Sequence, residues 1–146
     1  MQNIFMMDIN QQRVCDGNFK GSRRSRAKVV VLCDTNGGAL PQEIYSITKT
    51  IKETVKVELG IHSHDDMGMA VANSIMAVEA GASQIQGTFI GIGERCGNAN
   101  LSTIIPTLKL KLGYKVLNDN ELVNLTKTSR YIAEICNITL SDEDPF

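Results

Sequence analysis

The chain has 146 residues, of which 42% are hydrophobic, and its 15 basic and 16 acidic side chains give a formal net charge of -1. This is the ordinary composition of one soluble domain, and the near-neutral charge gives no support to a nucleic-acid-binding function. No apolar run reaches the roughly 18 residues of a membrane span, and the N-terminus lacks the basic start and apolar core of a signal peptide.

The cysteines and one basic run are the remaining features of the bulk sequence. Cys15, Cys33, Cys96 and Cys136 are scattered and form no C-x-x-C pair, which favours reduced thiols in the cytoplasm over a disulfide or zinc framework. Residues 20–28, KGSRRSRAK, are basic, but no aromatic residue interleaves them. A solvated loop is therefore favoured there over a phosphate or nucleic-acid contact.

Strand and helix patterns alternate along the chain from residue 28. The apolar run VVVLC predicts a strand at residues 29–33, and ELGIH at 58–62 and SQIQGT at 83–88 are further strand candidates. Helical spacing of apolar residues predicts helices at 41–56, 69–82, 100–113 and 118–137, with an interruption of the third near Pro106. The first 27 residues fit no element well. Repeated strand–helix units of this length indicate an α/β fold with a parallel sheet.

Polar side chains follow each predicted strand at its carboxyl end. Asp34, Thr35 and Asn36 follow the first strand, and the segment His62–Ser63–His64–Asp65–Asp66 ends the second. Asn98 lies in the glycine-rich loop after the third. In parallel α/β folds the active site lies at that end of the strands.

The motif H-S-H at residues 62–64 contains both histidines of the chain. The spacing i, i+2 places both rings on one face of a strand, and two imidazoles near a carboxylate or carboxamide suit a divalent metal. Two unrelated surface histidines in a turn are the alternative, but the position at a strand end favours the metal site.

The glycine-rich loop GIGERCGNAN, residues 91–100, precedes a predicted helix. Its backbone N–H groups could bind an anion, or it could be an ordinary connecting loop, and the pattern alone does not decide between them. Cys96 is expected to be a packed thiol rather than a nucleophile, because no histidine is its sequence neighbour.

Four motifs in this order carry a family resemblance: LCDTNGG, HSHDDMGMAVANS, QIQGT and GERCGNANL. Together they resemble the metal-dependent Claisen-type acyltransferases of the isopropylmalate, homocitrate and citramalate synthase group, which share a barrel fold with hydroxymethylglutaryl-CoA lyase. The motifs are most similar to the citramalate synthase branch. The resemblance covers residues 29–146.

The resemblance implies roles for four residues. His62 and His64 match the family's metal-binding histidines, Asn98 matches an asparagine near the metal, and Thr35 matches a threonine that contacts the carboxylate of the keto acid. It also implies Mg2+, Mn2+ or Zn2+ as cofactor, acetyl-CoA and an α-keto acid as substrates, and a cytoplasmic homodimer. No catalytic residue is assigned within this chain.

The sequence departs from the family pattern at several points. Asp65 stands where relatives usually have Asn, which would add a negative charge beside the metal. Ile90 stands where many relatives carry Asn. The Arg-Asp-Gly motif of the family's first strand has no counterpart here.

The resemblance implies part of a (β/α)8 TIM barrel, roughly strands six to eight with their helices. The expected organisation is an irregular remnant at residues 1–27, the C-terminal part of the barrel at 28–117 and the start of a helical linker subdomain at 118–146. The expected function is condensation of acetyl-CoA with pyruvate to give citramalate, on the route to isoleucine. The alternatives are an isopropylmalate or homocitrate synthase, a lyase of the same barrel, and a metal-binding fragment without catalysis. The isolated chain is expected to be inactive.

Overall fold

The computed structural model describes residues 4–8 and 27–144. Its centre is a parallel sheet of four strands in the order β1-β2-β3-β4, which are Ile4–Asp8, Val29–Asp34, Glu58–Ser63 and Gln84–Gln86. The three strands predicted from residue 28 onward are confirmed, and so is the α/β class with a parallel sheet. Residues 20–26 of the basic run, and Cys15, lie outside the described residues.

Strand β1 was not expected, because residues 1–27 were predicted to be irregular. Ile4–Asp8 pairs in parallel with β2 from Ile4 opposite Val29 to Asp8 opposite Cys33. The segment IFMMD is short and has one β-branched residue, so its own sequence carries a weak strand signal. The strand is defined instead by its pairing with β2, which no local pattern can reveal.

Two long helices cover one face of the sheet. Helix α1, Pro41–Thr54, follows β2 and begins with proline at its first position, and the Glu43 Oε2 atom accepts a hydrogen bond of 2.8 Å from the N–H of Leu40. Helix α2, Ala70–Glu79, follows β3 and is succeeded by Gly81 at φ 105°. Both predicted helices are confirmed.

The main core lies between these helices and the sheet. Alternate residues of β2 and β3 are fully buried in it, namely Val30, Leu32, Leu59 and Ile61. They pack against Ile44 and Ile51 of α1 and Ala77 of α2. Each large aliphatic side chain buried in this way contributes about 1.5–3 kcal/mol. The residues between them, including Val31, Gly60 and His62, therefore lie on the opposite face of the sheet.

The C-terminal part of the described chain is helical but less regular than predicted. Helix α3, Leu101–Pro106, continues into a π-helical turn at Thr107–Lys111, which confirms the interruption near Pro106. The single helix predicted over residues 118–137 is wrong, because the structure has two helices there, α4 at Asp119–Leu122 and α5 at Leu125–Ile135. The side chain of Asn124 donates a hydrogen bond of 2.9 Å to the carbonyl of Asn120, and such local side-chain bonds compete with a continuing helix.

Within residues 4–8 and 27–144, no helix is both long enough and apolar enough to cross a membrane.

Candidate metal centre

The candidate site lies where the parallel strands end. The register places Cys33, His62 and Gln86 side by side on β2, β3 and β4, with Asp34 opposite Ser63 one residue later. Parallel strands end at the same edge of the sheet, so the polar residues that follow them converge there. This is the convergence that the sequence predicted for the second and third strands.

His62 and His64 come together as the i, i+2 spacing predicted. Their ring centroids are 5.0 Å apart and the ring planes are nearly perpendicular, at 89°. The Nδ1 atoms of both rings are buried and have no hydrogen-bond partner. A buried ring nitrogen without a partner is costly in an ordinary site, and it is available to a metal ion.

The glycine-rich loop brings Asn98 beside His64. Asn98 forms an isolated antiparallel bridge with His64, and the N–H of the next residue, Ala99, donates a 3.0 Å hydrogen bond to the carbonyl of Ser63. The Asn98 Nδ2 atom donates to the carbonyl of Ile92 at 3.2 Å, while its Oδ1 atom is buried without a partner. The oxygen that could ligate a metal is therefore the free end of the carboxamide.

Two glycines of this region leave room for that arrangement. A Cβ atom at Gly93 would collide with the Asn98 Nδ2 atom and would lie 2.8 Å from its Cγ atom. A Cβ atom at Gly87 would collide with the carbonyl oxygen of Ala99. Glycine is required at both positions because neighbouring atoms leave no room for a side chain, and not because the backbone must be flexible there.

Four N–H groups of the glycine-rich loop are already bonded to backbone carbonyls. The N–H groups of Gly91, Gly97, Asn98 and Ala99 donate to the carbonyls of Thr88, Glu94, Gly91 and Ser63. These four donors are therefore not free to bind an anion. Cys96 is exposed, so the prediction that it is a packed thiol is wrong.

The two carboxylates that follow His64 are both engaged with the protein. The Asp65 Oδ1 atom accepts a 2.7 Å hydrogen bond from the N–H of Ala70, the first residue of α2, where a negative charge is favourable. The Asp66 carboxylate accepts two hydrogen bonds from Arg95, at 2.7 and 2.9 Å. Arg95 holds the pKa of the Asp66 carboxyl below its ordinary value. The sequence interpretation placed the Asp65 charge beside the metal, whereas the structure directs this side chain to the start of a helix.

Asp34 is a structural centre of the site that the sequence interpretation did not assign. It is fully buried, and its carboxylate accepts hydrogen bonds from the N–H groups of Gly38 and Ala39 at 3.2 and 3.1 Å. Its backbone carbonyl accepts a 3.2 Å hydrogen bond from the N–H of His64. Asp34 therefore fixes the loop after β2 and the backbone of the second histidine together. The D-T-N-G-G turn was the available signal.

Thr35 lies at the same edge but is exposed. Its backbone carbonyl accepts a 2.7 Å hydrogen bond from the Arg95 Nη2 atom. This contact brings the loop after β2 close to the glycine-rich loop. The role of the Thr35 hydroxyl towards a substrate stays a prediction.

The electrostatics of His62 favour the neutral imidazole that binds metals. Burial lowers its pKa below the ordinary 6.5, and the charge of His64 lowers it further, while the backbone of Gln86 opposes them. A neutral ring offers a lone pair near pH 7 without first losing a proton.

The three unpartnered atoms of this site are of the chemical types that bind divalent cations. They supply two imidazole nitrogens and one carboxamide oxygen, a mixed donor set of the kind used for Zn2+ and Mn2+. The described residues contain no group of three or more His, Cys, Asp or Glu side chains able to hold a metal.

The fold and the donor set define a class of α/β protein with a polar site at the carboxyl ends of parallel strands. The family model described as HMGL-like matches residues 18–132. The chain belongs to this family.

Individual relatives within this family can be compared with the chain. The chain is 57% identical over 135 residues to an (R)-citramalate synthase of Aquifex aeolicus, and the match covers 92% of this chain and 25% of the relative. It is 38% identical over 117 residues to a 2-isopropylmalate synthase of Pyrococcus abyssi, covering 77% of this chain and 24% of the relative. The chain thus spans about a quarter of the length of the curated relatives it matches.

A solved structure supports the fold. The HMG-CoA lyase of Bacillus subtilis superposes with a TM-score of 0.66 at 23% identity, over 81% of this chain and 41% of that chain. The resemblance to the citramalate and isopropylmalate synthase group with an HMG-CoA lyase-like fold is confirmed.

Proposed function

We propose that this chain is the metal-bearing segment of an acyltransferase that condenses acetyl-CoA with an α-keto acid. Pyruvate is the proposed keto acid and citramalate the product, in the formation of branched-chain amino acids. The observation that carries the proposal is that His62 Nδ1, His64 Nδ1 and Asn98 Oδ1 are all buried without a hydrogen-bond partner, in residues that the ring contact and the His64–Asn98 bridge place together at the strand ends. The choice of pyruvate is supported by the 57% identity to an (R)-citramalate synthase.

The residues of the chain have distinct parts in this proposal. His62 and His64 would hold the ion through ring nitrogens and Asn98 through its amide oxygen. The bound ion would act as a Lewis acid on the keto acid, an effect worth several kcal/mol in comparable enzymes. The hydroxyl of Thr35, on the neighbouring loop, would donate a hydrogen bond to the carboxylate of the keto acid.

The organisation of the chain is also part of the proposal. Residues 28–117 would form the later part of a barrel, roughly its strands six to eight, and residues 118–146 the start of a helical linker. Strand β1 would then belong to the barrel as the strand before them. We expect the isolated chain to bind metal without turnover, and a protein that contains it to work as a cytoplasmic homodimer.

A 2-isopropylmalate synthase is the second candidate, because relatives with that name are 38–39% identical to the chain. The two candidates differ in the keto acid and share the metal site. A fragment that binds metal without supporting catalysis is the alternative outside the enzyme class.

Metal binding by the chain is the first test. Calorimetric titration with Mn2+ and Zn2+ should show one site per chain, and His62→Gln or His64→Gln should each weaken it by at least about tenfold. Equal affinity in both variants and the unaltered chain would contradict the proposed site.

The reaction itself is tested in a chimera. The chain replaces the matched segment of the Aquifex aeolicus (R)-citramalate synthase, and CoA release is measured with pyruvate or with 2-ketoisovalerate. Release with pyruvate, lost in His62→Gln, is expected. Preference for 2-ketoisovalerate would favour the isopropylmalate assignment, and metal binding without any release would favour the non-catalytic fragment.

A further inference from the structure

Arg95 connects three loops at the carboxyl edge of the sheet. Its Nε and Nη2 atoms donate to Oδ1 and Oδ2 of Asp66, at 2.7 and 2.9 Å, in the loop after β3. The same Nη2 atom donates to the carbonyl of Thr35, at 2.7 Å, in the loop after β2. Arg95 itself belongs to the glycine-rich loop after β4. One guanidinium therefore bonds to both of the other loops of the candidate site.

The backbone of Arg95 shows that its position is imposed by its surroundings. Arg95 has φ 55°, in the left-handed region that residues with long side chains rarely adopt. Such a conformation is unfavourable and persists where neighbouring contacts demand it. The forked contact with Asp66 and the bond to Thr35 are contacts of this kind, because planar guanidinium donors fix both distance and direction.

The anchored loop carries the third donor atom of the candidate site. Asn98 lies three residues after Arg95, and Asp66 lies two residues after His64. The loops after β2 and β3 are already seated on each other, because the N–H of Met67 donates to the carbonyl of Gly37 at 3.1 Å. The glycine-rich loop is joined to the loop after β3 by two backbone hydrogen bonds of 3.0 Å, from the N–H of Asp65 to the carbonyl of Gly97 and from the N–H of Ala99 to the carbonyl of Ser63. Arg95 adds a side-chain connection from the glycine-rich loop to both of the other loops.

We propose that Arg95 is a positioning residue that, through Asp66 and Thr35, holds the Asn98 carboxamide at the distance from His62 and His64 that a metal ion requires. This inference rests on the proposed metal site. Arg95 is not a ligand and is not assigned any contact with substrate. Its effect passes through the backbone between residues 95 and 98, which also carries the bridge between Asn98 and His64.

Electrostatics alone predicts the opposite result for removal of Arg95. Loss of a positive charge near a bound cation should tighten metal binding, whereas loss of a positioning contact should weaken it. Arg95→Asn is the variant of choice because asparagine tolerates a positive φ. Its short, uncharged side chain cannot replace the guanidinium bonds to Asp66 and Thr35. The sign of the change in affinity thus separates the two explanations.

The experiment measures Mn2+ affinity of the full chain by calorimetry and the visible absorption spectrum of its Co2+ form. Arg95→Asn should weaken Mn2+ binding about tenfold and change the Co2+ spectrum. Asp66→Asn alone and the double variant Arg95→Asn/Asp66→Asn should show similar losses, because both remove the same contact. Arg95→Lys should recover part of the affinity.

Lys109→Gln is the matched control. It removes one positive charge from another ion pair, Lys109 to Asp119 at 2.8 Å, which lies outside the candidate site. It should leave Mn2+ affinity unchanged. Thermal unfolding of every variant identifies any loss of folded protein, and affinities are compared only at temperatures where the variants are folded.

The outcomes separate this inference from the proposed site. If His62→Gln abolishes binding while Arg95→Asn binds Mn2+ as well as or more tightly than the unaltered chain, the positioning role is overturned and the site stands. If His62→Gln leaves Mn2+ binding unchanged, the proposed site itself has failed. Weaker binding in Arg95→Asn with no change in Lys109→Gln supports the positioning role.

Discussion

Gly93→Ala is expected to disable the candidate metal site while leaving the fold in place. A Cβ atom there would lie 2.8 Å from Asn98 Cγ and 3.1 Å from its backbone nitrogen, and it would collide with Nδ2. Gly93 is not among the residues with a positive φ, so alanine can adopt its backbone conformation. The conflict is with Asn98, whose carboxamide must move and whose backbone nitrogen must shift by a few tenths of an ångström.

The displacement can be estimated from these contacts. Ordinary van der Waals contact begins at 3.4 Å, so the Cγ atom has to retreat by roughly 0.6 Å. Metal sites tolerate errors of about 0.2 Å in ligand distances. The Asn98 oxygen should therefore be lost as a ligand, and affinity should fall by about 10- to 100-fold, or about 1.4–2.7 kcal/mol.

The assay is competition for Zn2+ between the chain and a chromophoric chelator, together with thermal unfolding. Gly38→Ala is the matched control, because a Cβ atom at Gly38 would meet only the Met67 Sδ atom, at 4.0 Å. Gly38→Ala should keep the affinity of the unaltered chain. Equal Zn2+ affinity in Gly93→Ala and Gly38→Ala, with both folded, would refute the assignment of Asn98.

Three further predictions concern stability. Ile90 has φ 55°, a strained conformation for a β-branched residue, so Ile90→Asn should raise the free energy of unfolding by about 1 kcal/mol, and an unchanged or lower denaturant midpoint would contradict this. Thr48 is fully buried and its Oγ1 atom has no hydrogen-bond partner, so the isosteric Thr48→Val should stabilise the chain by about 1 kcal/mol, whereas a loss of stability would reveal a bond to that hydroxyl. The folded state lowers the pKa of His62, so below its unfolded pKa of about 6.5 the unfolded chain binds more protons. In the absence of metal, the free energy of unfolding should therefore fall as the pH decreases from about 6.5 towards the folded pKa of His62. His62→Gln should remove this part of the pH dependence.

The regular elements from residue 28 onward could be predicted because each has a local signal. The fully apolar run of β2 is buried at every position, and the helical spacing of Ile44, Ile51 and their neighbours matches the face of α1 that packs on the sheet. Strand β1 has no comparable signal, since it is recognised only by its pairing with β2. The break between α4 and α5 coincides with a side-chain bond of Asn124 that a periodic pattern does not encode.

The same division holds for the candidate site. The positions of His62 and His64 followed from alternation along a strand, and their rings do meet. The direction of Asp65 and Asp66 could not be inferred, because it depends on how the loop turns towards the start of α2 and towards Arg95. The roles of Asp34 and Gly93 are likewise visible only once three loops are packed together, since each acts through residues far along the chain or across a turn.

The central claim is that His62, His64 and Asn98 hold one divalent ion. X-ray absorption at the zinc edge of the chain loaded with one equivalent of Zn2+ tests it most directly. The account predicts two imidazole nitrogens at about 2.0–2.1 Å with oxygen ligands completing the shell, and loss of the imidazole signal in the double variant His62→Gln/His64→Gln. A shell dominated by sulfur at about 2.3 Å, or a spectrum unchanged in that variant, would contradict it.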